Sequence, residues 1–294
     1  MGARVTNRLF CFGLGYSARV LATQLAAQGF GVAGTCREEQ TAAALRKEGF
    51  DVHLFSRERP LADSGRVLAG ITHLLSSVPP DSSGDPVLDC HGMDILGLAG
   101  SLRWAGYLST TGVYGDRDGA WVDEDCRLDP TTERGRRRVG AESQWLDLWW
   151  DDGFPIHVFR LASIYGPGRN ALEEIKSGRA KRVVKHGQVF SRIHVADIAA
   201  VLRASIAHPN PGRIYNVCDD APAPPQEVVA FAAALLGRDP PPEIPFEQAE
   251  LSEMAKSFYA ENKRVRNGRI KRELGVTLSY PDYHAGLRAL LGPQ

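Results

Sequence analysis

Leu9-Phe10-Cys11-Phe12-Gly13-Leu14-Gly15-Tyr16-Ser17-Ala18 is the stretch on which the fold turns. Its four leading apolar residues read as a buried strand, and a glycine turn follows at once. Beyond the turn, Ala18, Leu21, Ala22 and Leu25 share one helical face, and Gly29 marks the stop. A GxGxxA turn between strand and helix suits a dinucleotide: the glycines allow a tight turn and close backbone approach, and the helix N-terminus faces the pyrophosphate. Ala18, in place of the third glycine, still permits close packing. Gly13, Gly15, Tyr16 and Ser17 are therefore candidate cofactor contacts. Alone the motif is weak, but here a second strand, Val32-Ala33-Gly34-Thr35, completes its expected surroundings.

Outward from that unit, apolar runs predict strands at 52–55, 73–77, 106–109 and 155–161, with helices near 38–48, 86–103 and 131–151. This alternation predicts an α/β protein, a doubly wound parallel sheet of the Rossmann type. Past Tyr165 the texture changes: Gly166-Pro167-Gly168, the stretch Asp219 to Pro225, and Pro240-Pro241-Pro242 punctuate the chain. We expect a Rossmann domain over 1–165 and a smaller α+β substrate lobe over 166–294. The part around 190–218 is expected to return to the main sheet.

Lys plus Arg and Asp plus Glu number 35 each, so no global field draws the chain to nucleic acid or to an anionic membrane. A small-molecule partner is expected instead. The five cysteines form no CxxC pair, which argues for reduced thiols rather than a disulfide framework. No apolar run approaches a membrane span and the start lacks a signal-peptide pattern, so a cytoplasmic location is expected. Met1-Gly2-Ala3-Arg4-Val5-Thr6 matches the loose acylation pattern, but the first strand begins a few residues later and one acyl chain anchors only marginally. The eight histidines include no HExxH and no Cys/His cluster, so no metal site is expected. GYSAR is not a nucleophile elbow either.

Cofactor choice turns on the end of the second strand. An NAD site carries an acid there to hold the ribose 2′-hydroxyl. The sequence offers Thr35-Cys36-Arg37 instead. A guanidinium can clamp a 2′-phosphate through paired charge-assisted bonds, so NADP(H) is expected over NAD(H), with Thr35 and Arg37 as contacts. Arg37 is equally compatible with a solvated loop.

Four stretches together resemble the extended short-chain dehydrogenase/reductases, the superfamily of sugar-nucleotide epimerases and dehydratases. They are GLGYSA at 13–18, YLSTTGVYGD at 107–116, FRLASIYGPGR at 159–169, and RIHVADIA at 192–199 with IYNVCDD at 214–220. NKRVRNGRIKRELG at 262–275 resembles the family's C-terminal signature. The resemblance is to an atypical, YeeZ-like branch of the NAD-dependent epimerase/dehydratase family. It implies that Thr110 hydrogen-bonds a substrate oxygen, that Ser76, Ser77 and Val78 pass the cofactor ribose, and that Tyr165 and Pro167 lie near the nicotinamide.

The departures from the family weigh as much as the matches. Its Tyr and Lys, four apart on one helix face, exchange the catalytic proton. The corresponding positions here hold Arg134 and Arg138. A guanidinium stabilises an oxyanion but keeps its proton. Arg136-Arg137-Arg138 also fits a solvated face paired with Glu142. Tyr114 and Tyr165 read as wall packing, and His194 with Asp197 as a strand-to-helix junction with a capping role. Where nucleotide-sugar members carry an arginine for the diphosphate stands Phe190, so UDP-sugars are expected to bind weakly or not at all.

Two functions stay open: an NADP(H)-dependent oxidoreductase or epimerase-like enzyme using Thr110, Arg134 and Arg138, and a non-catalytic NADP(H)-binding redox sensor. The first rests on the cofactor framework, the second on the missing Tyr and Lys. Trp145, Trp149 and Trp150 suit either a homodimer interface or the core.

Overall fold

A computed structural model describes residues 7–292; the acylation pattern at Met1–Thr6 lies outside them. β1 (Arg8–Phe12) leads through the glycine turn into α1 (Tyr16–Ala26). The alternation continues with β2 (Gly31–Cys36), α2 (Glu39–Lys47), β3 (Asp51–Leu54), the short α3 (Ser64–Val67) and β4 (His73–Ser76). Then come α4 (Pro86–Leu96), β5 (Trp104–Thr110), a 3-10 turn at Thr111–Tyr114, β6 (Trp121–Val122) and the long α5 (Glu133–Asp152). β7 (Ile156–Leu161), β8 (Ser163–Tyr165), α6 (Ala171–Lys176), β9 (Arg182–Val184), β10 (Arg192–His194) and α7 (Val195–Ala207) follow. The later elements are β11 (Ile214–Val217), α8 (Pro225–Leu235), β12 (Glu243–Pro245), α9 (Glu253–Tyr259), β13 (Arg264–Val265), α10 (Gly268–Leu274) and α11 (Tyr283–Leu291).

The main sheet has seven strands in the order β11-β7-β5-β4-β1-β2-β3. β1 pairs in parallel with β2 and β4, β2 with β3, and β4 with β5. From β1 the chain steps outward through β2 to β3, then crosses back to β4 on the other side of β1. That reversal opens a crevice at the carboxyl ends of β1 and β4, the usual ligand position in an open α/β sheet. Phe10 and Phe12 of β1, Leu74 of β4, Tyr107 of β5 and Val158 of β7 pack with Trp145 of α5 in one apolar cluster. Burial on both faces explains why these strands read as continuous apolar runs.

Two compact units are built from this chain, and they alternate in sequence rather than meeting at one point near 165. The first comprises the described residues up to Ser109 with Arg137–Arg160 and Ala199–Tyr215. The second comprises Thr110–Arg136, Leu161–Ile198 and the described residues from Asn216 onward. β11 lies in the seven-stranded sheet, at its edge beside β7.

The helix expected near 86–103 stops at Leu96, before Gly97 and Gly100. It also breaks at His91 (φ −135°), whose Nε2 accepts the Leu61 N–H at 3.0 Å. The three tryptophans separate: Trp145 is core and donates to Asp85 Oδ2 at 3.0 Å, Trp149 is half-buried, and Trp150 is 74% exposed. All five cysteines are free thiols. No helix among the described residues is long and apolar enough to cross a membrane. Nor do they hold a group of three His, Cys, Asp or Glu that could bind a metal ion.

Candidate functional site

In the first unit, residues following β1, β2, β3 and β4 line a cleft of about 630 Å³, an ordinary size for a small-molecule site. Gly13 turns the chain at φ +83°, a conformation that favours glycine. A Cβ there would lie 2.7 Å from Ser77 Oγ and 3.2 Å from Val78 Cγ2, whereas one on Gly15 would meet nothing within 4 Å. Gly15 caps α1 without a side-chain bond, and the first turn carries no acidic residue. Gly15, the cap residue, lines the cleft, so the positive end of α1 borders it, as suits a pyrophosphate. The residues present fit a dinucleotide.

Other sequence-derived contacts divide. Ser77 and Val78 line the cleft, and the Ser77 hydroxyl donates to the Gly13 carbonyl. Tyr16, Ser17 and Ser76 are not among its lining residues. Ser17 is buried on the inner face of α1, and Ser76 is fully buried with no partner for its Oγ among the described residues. Thr35, expected as a ribose contact, is 1% exposed, and its Oγ1 accepts the Gly13 N–H at 2.9 Å while its carbonyl accepts the Leu14 N–H at 2.7 Å. It lines the cleft, with its hydroxyl turned to the loop that it braces. Arg37 is exposed on the cleft wall, and no described residue pairs with it. Glu38 and Glu58 line the same wall.

The two arginines expected to flank the substrate differ in environment. Arg138, in the first unit, is 9% exposed; its Nη1 donates to the Leu108 carbonyl at 2.6 Å and to the Tyr107 hydroxyl at 3.1 Å. This corrects the reading of Arg138 as part of a solvated face paired with Glu142. Glu142 is buried too, and its ion pair is with Arg160 at 2.8 Å, with the Ser109 hydroxyl donating to Oε1. A carboxylate placed against the sheet takes the arginine that β7 delivers, because an unpaired buried charge is costly.

In the second unit, Thr110 caps the 3-10 turn, its Oγ1 accepting the Gly112 N–H at 3.1 Å. Its hydroxyl proton remains to be donated. Arg134 is exposed, its guanidinium 5.3 Å from the centre of the Phe258 ring. The phenols are committed elsewhere: Tyr114 donates to Asn216 Oδ1 at 2.7 Å, and Tyr165 to the Asp282 carbonyl at 3.3 Å, where burial pushes its phenol far above the usual range. Pro167 is exposed in the loop after β8. The cap at β10–α7 comes from His194, whose Nδ1 accepts the Ala196 N–H at 3.2 Å. Asp197 instead accepts the N–H groups of Ser279 at 2.8 Å and Tyr280 at 3.0 Å, which corrects its capping role.

Sequence reasoning missed two charged groups. Arg57 lines the cleft, held by Asp81 and Asp89. In the second unit, a Cβ on Gly112 would lie 3.5 Å from Thr110 Oγ1 and 3.9 Å from Glu261 Oε2. Glu261 accepts from Thr131 at 3.0 Å and from Lys263 at 2.6 Å, and burial draws the Lys263 ammonium below its ordinary value. The only signal was the signature string itself, since Glu261 precedes it and Lys263 stands within it.

The strand order and the glycine turn between β1 and α1 are those of a Rossmann-type fold. Residues 100–218 match the NAD dependent epimerase/dehydratase family. Over 280 residues the chain is 30% identical to Protein YeeZ of Escherichia coli (strain K12), covering 92% of this chain and 95% of that protein. A functionally unknown conserved protein from Silicibacter pomeroyi DSS is 55% identical, with TM-score 0.90 over 97% of this chain and 98% of its own. dTDP-glucose 4,6-dehydratase of Bacillus anthracis str. Ames, solved in complex with NAD, shares the fold at 15% identity, TM-score 0.75, over 97% and 95% of the two chains. The chain belongs to the NAD-dependent epimerase/dehydratase family of extended short-chain dehydrogenase/reductases.

Proposed function

We propose that the protein is an NADP(H)-dependent oxidoreductase or epimerase/dehydratase-like enzyme of the cytoplasm acting on a small, oxygen-rich substrate. One observation carries the cofactor choice: β2 ends in Thr35 and Cys36 rather than a carboxylate, the Thr35 hydroxyl is committed to Gly13, and Arg37 lines the cleft with no partner among the described residues. The helix start of α1 binds the pyrophosphate, Ser77 and Val78 border the ribose, and Arg37 takes the 2′-phosphate. Bound nicotinamide supplies hydride exchange. Thr110 donates its hydroxyl to a substrate oxygen, and Arg134 offers an exposed cation for an anionic substrate group. Arg138 acts by holding the Leu108 carbonyl next to that strand end. Met93 and Trp150, 82% and 74% exposed on α4 and α5, suit a homodimer.

The test is a pair of fluorescence titrations, NADPH and NADH, on wild type and Arg37→Ala. NADPH is expected to bind tighter, and the variant to lose about tenfold for NADPH alone. Equal wild-type affinities would remove the preference. A second reading, a non-catalytic NADP(H)-binding sensor, draws on the Arg134 and Arg138 that stand in place of the family's Tyr and Lys, and on the commitment of the Tyr114 and Tyr165 phenols to amide and backbone partners. Tight NADPH binding with no absorbance change across a panel of nucleotide sugars and carbonyl compounds would select it.

A further inference from the structure

Arg57 follows β3 at the far end of the cofactor cleft, with its side chain 24% exposed. Its Nε and Nη2 donate to the two oxygens of Asp81, at 2.7 and 3.0 Å, and its Nη1 lies 2.7 Å from Asp89 Oδ2. Asp81 is itself fixed: it follows Pro79-Pro80, and its Oδ1 accepts the Ser83 N–H at 2.8 Å while its own N–H reaches the Gly84 carbonyl at 3.0 Å. All three guanidinium nitrogens are thus engaged in the plane of the group. Apart from one further N–H on each Nη, what the group presents to a ligand is its flat face.

The strand order says which part of a dinucleotide meets that face. The pyrophosphate sits at α1, beside β1, and the ribose at the end of β2. β3 lies one strand further out. A nucleobase continuing in that direction comes to the residues that follow β3, where Arg57 lines the cleft together with Pro79 and Pro80. A guanidinium stacks on aromatic planes, and two carboxylates holding it in place remove the entropy of ordering it on binding.

We propose that Arg57 is the base-stacking residue of the cofactor site: a guanidinium locked by Asp81 and Asp89 that receives the adenine ring on its face and takes no part in binding the 2′-phosphate. The inference rests on the cofactor reading above and assigns the adenine end of that cleft. Stacking reads a flat ring rather than its edge groups. The hypoxanthine analogue of NADPH therefore binds within about threefold of NADPH.

The experiment titrates NADPH and NADH into wild type, Arg57→Ala, Arg57→Lys and Arg57→Tyr, with melting temperatures as the check on folding. Arg57→Lys keeps a charge for Asp81 but loses the plane, and Arg57→Tyr does the reverse. Arg57→Ala and Arg57→Lys are expected to weaken both nucleotides about tenfold, and Arg57→Tyr to stay within about threefold of wild type. Retained affinity in Arg57→Lys with loss in Arg57→Tyr overturns the proposal in favour of a charge contact. A loss confined to NADPH overturns it by making Arg57 a phosphate ligand. A wild type that binds neither nucleotide rejects the cofactor reading itself, and this proposal with it.

Discussion

Glu142 of α5 and Arg160 of β7 form an ion pair at 2.8 Å with both side chains 3% exposed. It is bidentate in character, since Arg160 Nε also reaches both carboxylate oxygens, at 3.2 and 3.1 Å. Taking one partner away strands a charge in the interior, at a cost of about 3–5 kcal/mol. Urea denaturation of Arg160→Met is expected to show a loss of that order. The double variant Glu142→Leu with Arg160→Met recovers part of it, because neither charge is left alone. A single-variant loss below about 1 kcal/mol would mean that water relieves the stranded carboxylate.

His157 gives the fold a pH dependence. Its Nδ1 donates to the Ala105 carbonyl at 3.0 Å and its Nε2 accepts the Asn210 N–H at 2.8 Å, so the neutral ring is satisfied at both nitrogens. A second proton would set two donors against each other. Burial pushes the imidazole down from 6.5 to about 4. Between those values the unfolded chain binds the proton and the folded chain does not. Stability is therefore complete above about pH 6.5 and declines as pH falls towards 4. His73 and His194, also lowered to about 4 by burial, act in the same direction. The urea midpoint of His157→Gln is expected to fall less than that of wild type between pH 7 and pH 5. Parallel profiles would exclude His157 as a contributor.

Nucleotide sugars are expected to bind poorly. Phe190 stands where a diphosphate-gripping arginine is expected from the family pattern, and Arg192 does not replace it. Arg192 Nη1 is held by the Phe190 carbonyl at 2.9 Å and the Ala223 carbonyl at 3.0 Å, in surroundings whose burial lowers its pKa. Calorimetric titration with UDP-glucose in the presence of NADPH checks this. Stoichiometric uptake in the micromolar range would show that another cation serves the diphosphate.

What the residue pattern disclosed was whatever depends on near neighbours. The glycine turn, the apolar strands and the helix at 133–152 follow from periods of two and of three to four residues, so their existence was readable and their ends nearly so. Side-chain partnerships across the fold were not. Arg138 and Glu142, one turn apart, look like an exposed pair in sequence, yet each is buried against a different strand, Leu108 on β5 and Arg160 on β7. The stapling of Arg57 to Asp81 spans 24 residues, and the approach of Glu261 to Thr131 spans 130. No local period encodes such distances. Thr35 shows the same limit at close range: its identity at the strand end was plain, but whether its hydroxyl faced the ligand or the turn depended on the rotamer the packed loop imposes.

The engagement of Thr35 with Gly13 constrains how such a protein can change its nucleotide. The familiar exchange toward NAD puts an acid at the end of the second strand, but here that position is closed to water and already employed in holding the turn. A carboxylate introduced at 35 would be desolvated and would disturb the loop it was meant to serve. If Arg37 takes the 2′-phosphate as proposed, turn closure and nucleotide choice are encoded two positions apart, in residues 35 and 37, and are separable under selection. Drift in cofactor usage among descendants of this chain should register at 36 and 37 and leave the threonine in place, and a designer seeking the same switch has the same two sites.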